Sequence, residues 1–197
     1  MGPSRCVLLF ARRASEEARA KRMASAAVFA LARRRIERIA RVVGARLVVA
    51  SQTGATFGER LSRAFASAAA QYDEVVVVPT DVPQLTAGDV RRAFALLRSH
   101  DMVLGPCPDG GVYLIGGRAG AQLADVRWLT PHVLEDLSRG DVALLSPLHD
   151  LDTADDLPRL AGTIPSSLLR PAFAPPTSGR CDSVTVSAEG SRGPPAA

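Results

Sequence analysis

Glu74-Val75-Val76-Val77-Val78-Pro79-Thr80-Asp81-Val82-Pro83 is the stretch on which the fold turns. Four consecutive valines are too few for a buried helix and too β-branched to prefer one. Without polar alternation the run reads as a strand covered on both faces, the pattern of a central strand in a parallel sheet. Pro79 and Pro83 stop it. Asp81 therefore stands just past the C-terminal edge of a central strand, the edge where open α/β sheets bind ligands. It either caps the turn or faces a ligand.

Downstream, Thr86-Ala87-Gly88-Asp89 has the form of a capping box for a helix running to Ser99. Met102–Gly105 and Val112–Ile115 read as two strands joined by Cys107-Pro108-Asp109-Gly110-Gly111, ordinary hairpin chemistry. Thr130–Ser138 is expected to form a short helix with Pro131 in its first position. Val142–Leu145 is the last core strand. In Leu148-His149-Asp150-Leu151-Asp152-Thr153-Ala154-Asp155-Asp156-Leu157, Thr153 caps a closing helix. Asp150 and Asp152 precede that cap in an extended segment, where one of the two is expected to point inward.

Upstream, Cys6–Phe10 is the first strand. Arg12–Met23 carries Arg12, Arg13, Arg19, Lys21 and Arg22. It reads as a phosphate-holding segment after the first strand or as a solvated helix in which Glu16 and Glu17 pair with their basic neighbours. Ala24–Val43 is a strongly amphipathic helix with Gly44 as its terminator. Leu47–Ala50 is the second strand, and a polar loop with Gly54 and Gly58 leads from it into a helix over Glu59–Tyr72.

Of the 197 residues, 47% are hydrophobic, enough for one good core. The expected organisation is one domain over residues 1–165, followed by a disordered Pro/Ser/Gly-rich tail over 170–197. No run approaches the ~18 apolar residues of a membrane span. The opening MGPSRCVLLFARR lacks the features of a signal peptide, so a cytoplasmic chain is expected. Cys6, Cys107 and Cys181 are odd in number and lack metal-ligand spacing, which suggests neither a disulfide framework nor a zinc site. Charge is uneven: +9 through Arg46 and −5 beyond it. The basic third suits phosphorylated ligands or nucleic acid. The chain has no nucleic-acid motif and few aromatics for stacking, which ranks the second reading last.

The alternation of strands and helices predicts a layered α/β domain with a mostly parallel sheet. The segments FGERL (57–61), VVVVPTDVPQLT (75–86), DMVLGPCPDGGVYLIG (101–116), VRWLTPHVLEDL (126–137) and LHDLDTADDL (148–157), in this order, carry a resemblance. Residues from roughly 7 to 160 resemble a bacterial family of transferases with a glycosyltransferase-A-like fold, often called selenodomain-associated transferase 1. That family is related to the molybdenum-cofactor and phospholactate nucleotidyltransferases, and the resemblance implies a Rossmann-like, three-layer α/β/α fold on a mostly parallel mixed sheet.

The resemblance implies metal-dependent transfer of a glycosyl or nucleotidyl group from a nucleotide or nucleotide-sugar donor to a small acceptor. It implies Mg²⁺ or Mn²⁺ on Asp81 with Asp150 or Asp152. It also implies catalytic roles for Asp81 and Asp109, and nucleotide or phosphate contacts from Arg12, Arg19, Lys21, Arg22, Gly58, Arg60 and Thr80. Asp109, Gly110 and Gly111 would line the acceptor side. Such a cation neutralises the charge of a leaving pyrophosphate or nucleoside diphosphate.

The family's first loop is Pro/Gly-shaped, whereas here Ala14, Glu16, Glu17 and Ala18 favour helix. That departure motivates an alternative: a nucleotide-binding or regulatory protein on the same fold that has lost catalysis.

Overall fold

The computed structural model describes residues 2–23, 26–121, 123 and 125–160. The tail expected over 170–197 lies outside them, as does Cys181.

The strands are β1 (Arg5–Leu9), β2 (Arg46–Val49), β3 (Glu74–Val78), β4 (Met102–Pro106), β5 (Val112–Gly117) and β6 (Val142–Leu144). The α-helices are α1 (Ala14–Ala20), α2 (Ala27–Val42), α3 (Phe57–Ala69), α4 (Ala87–Leu96), α5 (Val133–Leu137) and α6 (Leu157–Leu160), with a 3-10 turn at Ala154–Asp156 before α6. One six-stranded sheet has the order β2-β1-β3-β5-β4-β6. β5 runs antiparallel to both its neighbours, and the other pairings are parallel. This is the mostly parallel α/β/α architecture expected.

β3 is central, as its valines require. Residues Glu74 to Val78 are all buried. Their alternation serves two cores. Val76 and Val78, with Val7 and Leu9 of β1, pack against Ile36, Ile39 and Ala40 of α2 and Val90, Ala93 and Phe94 of α4. Val75 and Val77, with Cys6 and Leu8, pack against Leu61, Ala64, Phe65 and Ala68 of α3 and Val133 and Leu137 of α5. Each such fully buried Val or Leu contributes about 1.5–3 kcal/mol. A third, smaller cluster joins Ala18 of α1, Val28 and Phe29 of α2, Leu151 and Leu157.

Helix ends follow their residues. Thr86 and Asp89 form the capping box of α4 through reciprocal bonds of 2.8 and 3.3 Å. Gly44, at φ +70, follows the end of α2. Thr153 and Asp156 form a further box at the closing turn. Between Arg12 and Met23 the helix is present, Ala14–Ala20 as α1 with Glu16 bonding back to the Arg13 amide at 3.2 Å, but Lys21 pairs with Asp81 and Asp152 rather than with Glu16 or Glu17.

One expectation fails. The helix placed at Thr130–Ser138 starts only at Val133, so Pro131 is not in its first turn. The Pro131 carbonyl closes against Gly110 of the β4–β5 turn instead, and Gly110, at φ +89, has no room there for a Cβ.

Because β5 is antiparallel, its N-terminal end lies at the same sheet edge as the C-terminal ends of β1, β3 and β4. Five connections therefore meet at one edge: the segments after β1, β2, β3 and β6 and the β4–β5 turn. No helix among the described residues is long and apolar enough to cross a membrane.

Candidate active site

A cleft of about 650 Å³ opens at this edge. Arg12, Glu17 and Lys21 enter it from the α1 segment, Thr80 and Asp81 from the β3 turn, Cys107, Asp109 and Gly111 from the β4–β5 turn, and Asp150 and Asp152 from the late acidic segment.

The late segment is fastened across the edge. The Leu151 amide donates to the Asp81 carbonyl at 2.7 Å, and the Leu148 amide to the Pro106 carbonyl at 3.1 Å. The Gln84 side chain donates to the His149 carbonyl, and the Tyr113 hydroxyl to the Ser146 carbonyl at 3.0 Å. Leu151 is fully buried, so its neighbours Asp150 and Asp152 share the opposite side of the extended chain and both line the cleft. The expectation that one of them points inward is corrected: residues two apart face the same way.

Asp81 and Asp152 converge on a single cation, the chain's own Lys21. Its Nζ lies 2.8 Å from Asp81 Oδ2 and 2.8 Å from Asp152 Oδ1. Burial opposes the ammonium charge, but the Asp81 charge and the Asp152 hydrogen bond outweigh it and hold the Lys21 pKa above its ordinary value. Glu17 is shifted upward, first by burial and then by the Asp81 charge.

Asp150 belongs to a different grouping. One ligand atom from each of Asp150, Asp109 and Cys107 lies within 4.8 Å of the others, so the three could hold a metal ion. Burial, then the charges of Asp152, Asp109 and Asp81, push the Asp150 carboxyl up to about 6. Burial, then the charges of Asp150 and Asp109, raise the Cys107 thiol above its ordinary range. The cleft thus concentrates carboxylates that repel one another, and hard oxygen donors of this kind suit Mg²⁺ or Mn²⁺. Cys107 was missed as a candidate ligand because only Asp109 is near it in sequence, the third member of the group, Asp150, being 43 positions away.

Aromatic side chains line the same cleft. Phe10 and Phe57 meet edge to face with centroids 5.5 Å apart, and Phe57 and Trp128 lie 5.6 Å apart. Gly58 permits this, since a Cβ there would come within 2.5 Å of the Trp128 ring. The loop bearing Trp128 is anchored by Asp136, which accepts from the Arg127 amide and Nε at 2.9 Å each and from Arg139 at 3.0 Å. Those bonds, Arg127's first, hold the Asp136 carboxyl well below its usual range. Leu129 at the rim is 79% exposed with φ +62.

Of the residues singled out from the sequence, Arg12, Lys21, Arg60, Thr80, Asp81, Asp109, Gly111, Asp150 and Asp152 line this cleft. Arg19 and Arg22 are exposed and do not line it. Gly58 lies beneath Trp128, and Gly110 lies against Pro131. Arg60 donates to the Gly54 and Ala55 carbonyls at 3.4 and 3.2 Å, which ties it to its own loop. Asp109 Oδ1 accepts the Gly111 amide at 2.9 Å, the turn role expected of it, while still lining the cleft.

Comparison with known proteins adds three findings. Residues 14–130 match the model of a family described as "Uncharacterized protein conserved in bacteria (DUF2064)". Over 88 residues the chain is 41% identical to a 3-phospho-D-glycerate guanylyltransferase from Phenylobacterium zucineum (strain HLK1), which covers 44% of this chain. The match spans only 40% of that relative's length. The fold is similar to that of a "putative nucleotide-diphospho-sugar transferase" from Desulfovibrio desulfuricans G20, with a TM-score of 0.70 at 23% identity over 84% of this chain and 94% of that one.

Proposed function

The chain belongs to this bacterial DUF2064 family, and we propose that it is a metal-dependent nucleotidyltransferase that acts on a nucleoside triphosphate and a small phosphorylated acceptor. The observation that carries the reading is the convergence of Asp81 and Asp152 on one cation at the ligand-binding edge of the sheet. The choice of nucleotidyl over glycosyl transfer, and of GTP as first donor to test, is supported by the guanylyltransferase activity named for the relative from Phenylobacterium.

In this reading Lys21 and Arg12 bind the triphosphate, whose charge their side chains complement. Asp81 and Asp152 would hold a Mg²⁺ or Mn²⁺ ion, which supplies charge neutralisation for the triphosphate and the leaving pyrophosphate. An oxygen of the acceptor phosphate attacks the α-phosphorus, a new P–O bond forms, and the bond from the α-phosphorus to the bridging oxygen breaks. Pyrophosphate leaves with that electron pair. An ionised phosphate acceptor needs no base to remove a proton. Asp109 and the Gly111 turn orient the acceptor, and the Phe57–Trp128 wall excludes water from one side of the cleft.

A thermal-shift and calorimetric screen of nucleoside triphosphates and nucleotide sugars, with and without Mn²⁺, tests the reading. The expected result is Mn²⁺-dependent stabilisation by GTP that Asp81→Asn weakens at least tenfold. Unchanged binding in that variant, or a response confined to nucleotide sugars, would overturn it.

The helical α1 in place of an open loop, with Glu17 facing the cleft, favours a second reading: a nucleotide-binding protein without turnover. It predicts stabilisation by GTP and Mn²⁺ with no pyrophosphate release across phosphorylated acceptors. Detectable release excludes it.

A further inference from the structure

Lys21 is the only lysine in a chain whose other basic residues are all arginine. That single lysine bridges two carboxylates in the cleft, at 2.8 Å from each. Its side chain is 12% exposed, against 20% for Asp81 and 61% for Asp152.

The residue type matters. An arginine here would grip a carboxylate through a planar fork, whereas an ammonium is a compact point charge on a flexible stem. Elsewhere the buried carboxylates are held by arginine: Glu74 by Arg5 and Arg118, Asp136 by Arg127 and Arg139. Lys21 also sits at the very end of α1, followed by Arg22 at φ +52, so the chain turns away beside it.

A divalent cation held by both Asp81 and Asp152 competes with this ammonium for the same oxygens. The two positive charges repel at such short range. Nucleotide phosphates offer the ammonium another anionic partner.

Resting on the nucleotidyltransferase reading of the cleft, we propose that Lys21 is a displaceable counter-ion that couples divalent-cation binding to nucleotide binding. In the nucleotide-free protein Lys21 holds Asp81 and Asp152 together and weakens cation binding. When phosphates arrive, Lys21 transfers to them and frees the two carboxylates. Linkage makes the coupling reciprocal: the cation then favours the nucleotide as much as the nucleotide favours the cation.

Because Lys21 is the sole lysine, amine acetylation followed by mass spectrometry of its peptide reads its accessibility in the unaltered protein. Saturating Mn²⁺ alone is expected to raise the Lys21 acetylation rate at least fivefold, and adding GTP with Mn²⁺ to lower it again. In parallel, a Mn²⁺ titration followed by electron paramagnetic resonance compares the unaltered chain with Lys21→Met and Lys21→Arg. Lys21→Met is expected to bind Mn²⁺ at least tenfold more tightly without nucleotide, and Lys21→Arg no more tightly than the unaltered chain.

Bound Mn²⁺ that leaves the acetylation rate unchanged overturns the proposal. So does a folded Lys21→Met that binds Mn²⁺ no better than the unaltered chain. If Lys21→Met does not fold, the acetylation measurement decides alone. Absence of any GTP effect, with both Mn²⁺ results as expected, would count against the transferase reading and against the nucleotide half of the coupling, leaving the counter-ion role intact.

Discussion

β3 carries a carboxylate near each end, and the two are treated in opposite ways. Glu74, its first residue, is 1% exposed and pinned by Arg5 at 3.0 Å and Arg118 at 3.7 Å. Those arginines are committed further: Arg5 lies 5.1 Å over the Phe94 ring, and Arg118 donates to the Leu97 carbonyl. Asp81, three residues past the strand, looks into an open cleft and shares one lysine with Asp152. The Glu74 pole has cations in fixed positions. At the Asp81 pole several carboxylates gather, and the Lys21 ammonium bridges two of them. A carboxylate held by arginines on a closed surface serves the fold, and one held by a lone lysine in a cavity is available to a ligand.

The strongest test of that contrast is Glu74→Gln. It leaves two arginines facing a neutral amide and is expected to cost about 2–3 kcal/mol. For a chain of this size that lowers the melting temperature by roughly 5–10 °C. Mn²⁺-dependent nucleotide stabilisation should persist in this variant, and its loss would break the division between the two poles.

Gly58→Ala probes the cleft wall instead. Its new methyl group collides with Trp128, an overpacking that costs about 1–3 kcal/mol. Trp128 is the only tryptophan in the chain, so its emission should shift with the displacement. Unchanged emission would mean that Trp128 does not rest on Gly58 in solution.

The smallest expected effect comes from Asp150→Asn. With its carboxyl pushed up to about 6 from an unfolded value near 3.9, Asp150 takes up a proton on folding between about pH 4 and pH 6. Its ionised form therefore opposes folding above that window. After allowance for its partial exposure, Asp150→Asn should stabilise the metal-free protein by about 1 kcal/mol at pH 8 and leave it unchanged near pH 4. Thermal melts at the two pH values check this. Equal effects at both would place the origin outside the carboxylate cluster.

Much of the fold was legible because it rests on local pattern. Val75 to Val78 declare a strand covered on both faces, and Thr86 with Asp89 declares a helix start. Ala14 to Ala18 declare helix where an open loop would need Pro and Gly. Pro131 misled because a proline suited to the first turn of a helix is here held by Gly110, 21 residues away and on another element.

The site was readable in its parts rather than in its connections. Asp81, Asp150, Asp152 and Lys21 each stood out by type and position. That Lys21 bridges Asp81 and Asp152, 60 and 131 positions away, depends on α1, the β3 turn and the segment after β6 meeting at one edge. Cys107 and Trp128 carried no signal of their own, since a buried thiol and a lone indole are ordinary core residues until the β4–β5 turn and the 125–131 loop bring them to the cleft.

The reversed direction of β5 has a consequence for how such a protein can diversify. A parallel strand reaches the cleft edge through its C-terminus and must continue into a crossover, so altering it disturbs a helix. β5 reaches the same edge through a hairpin that returns directly to β4. Residues inserted at Pro108 or Asp109 would lengthen one wall of the cleft and leave every crossover in place, at a loop-closure cost of only about 0.6 kcal/mol per doubling of length. The shape of the cleft can drift through that hairpin while the lysine and its two carboxylates stay fixed.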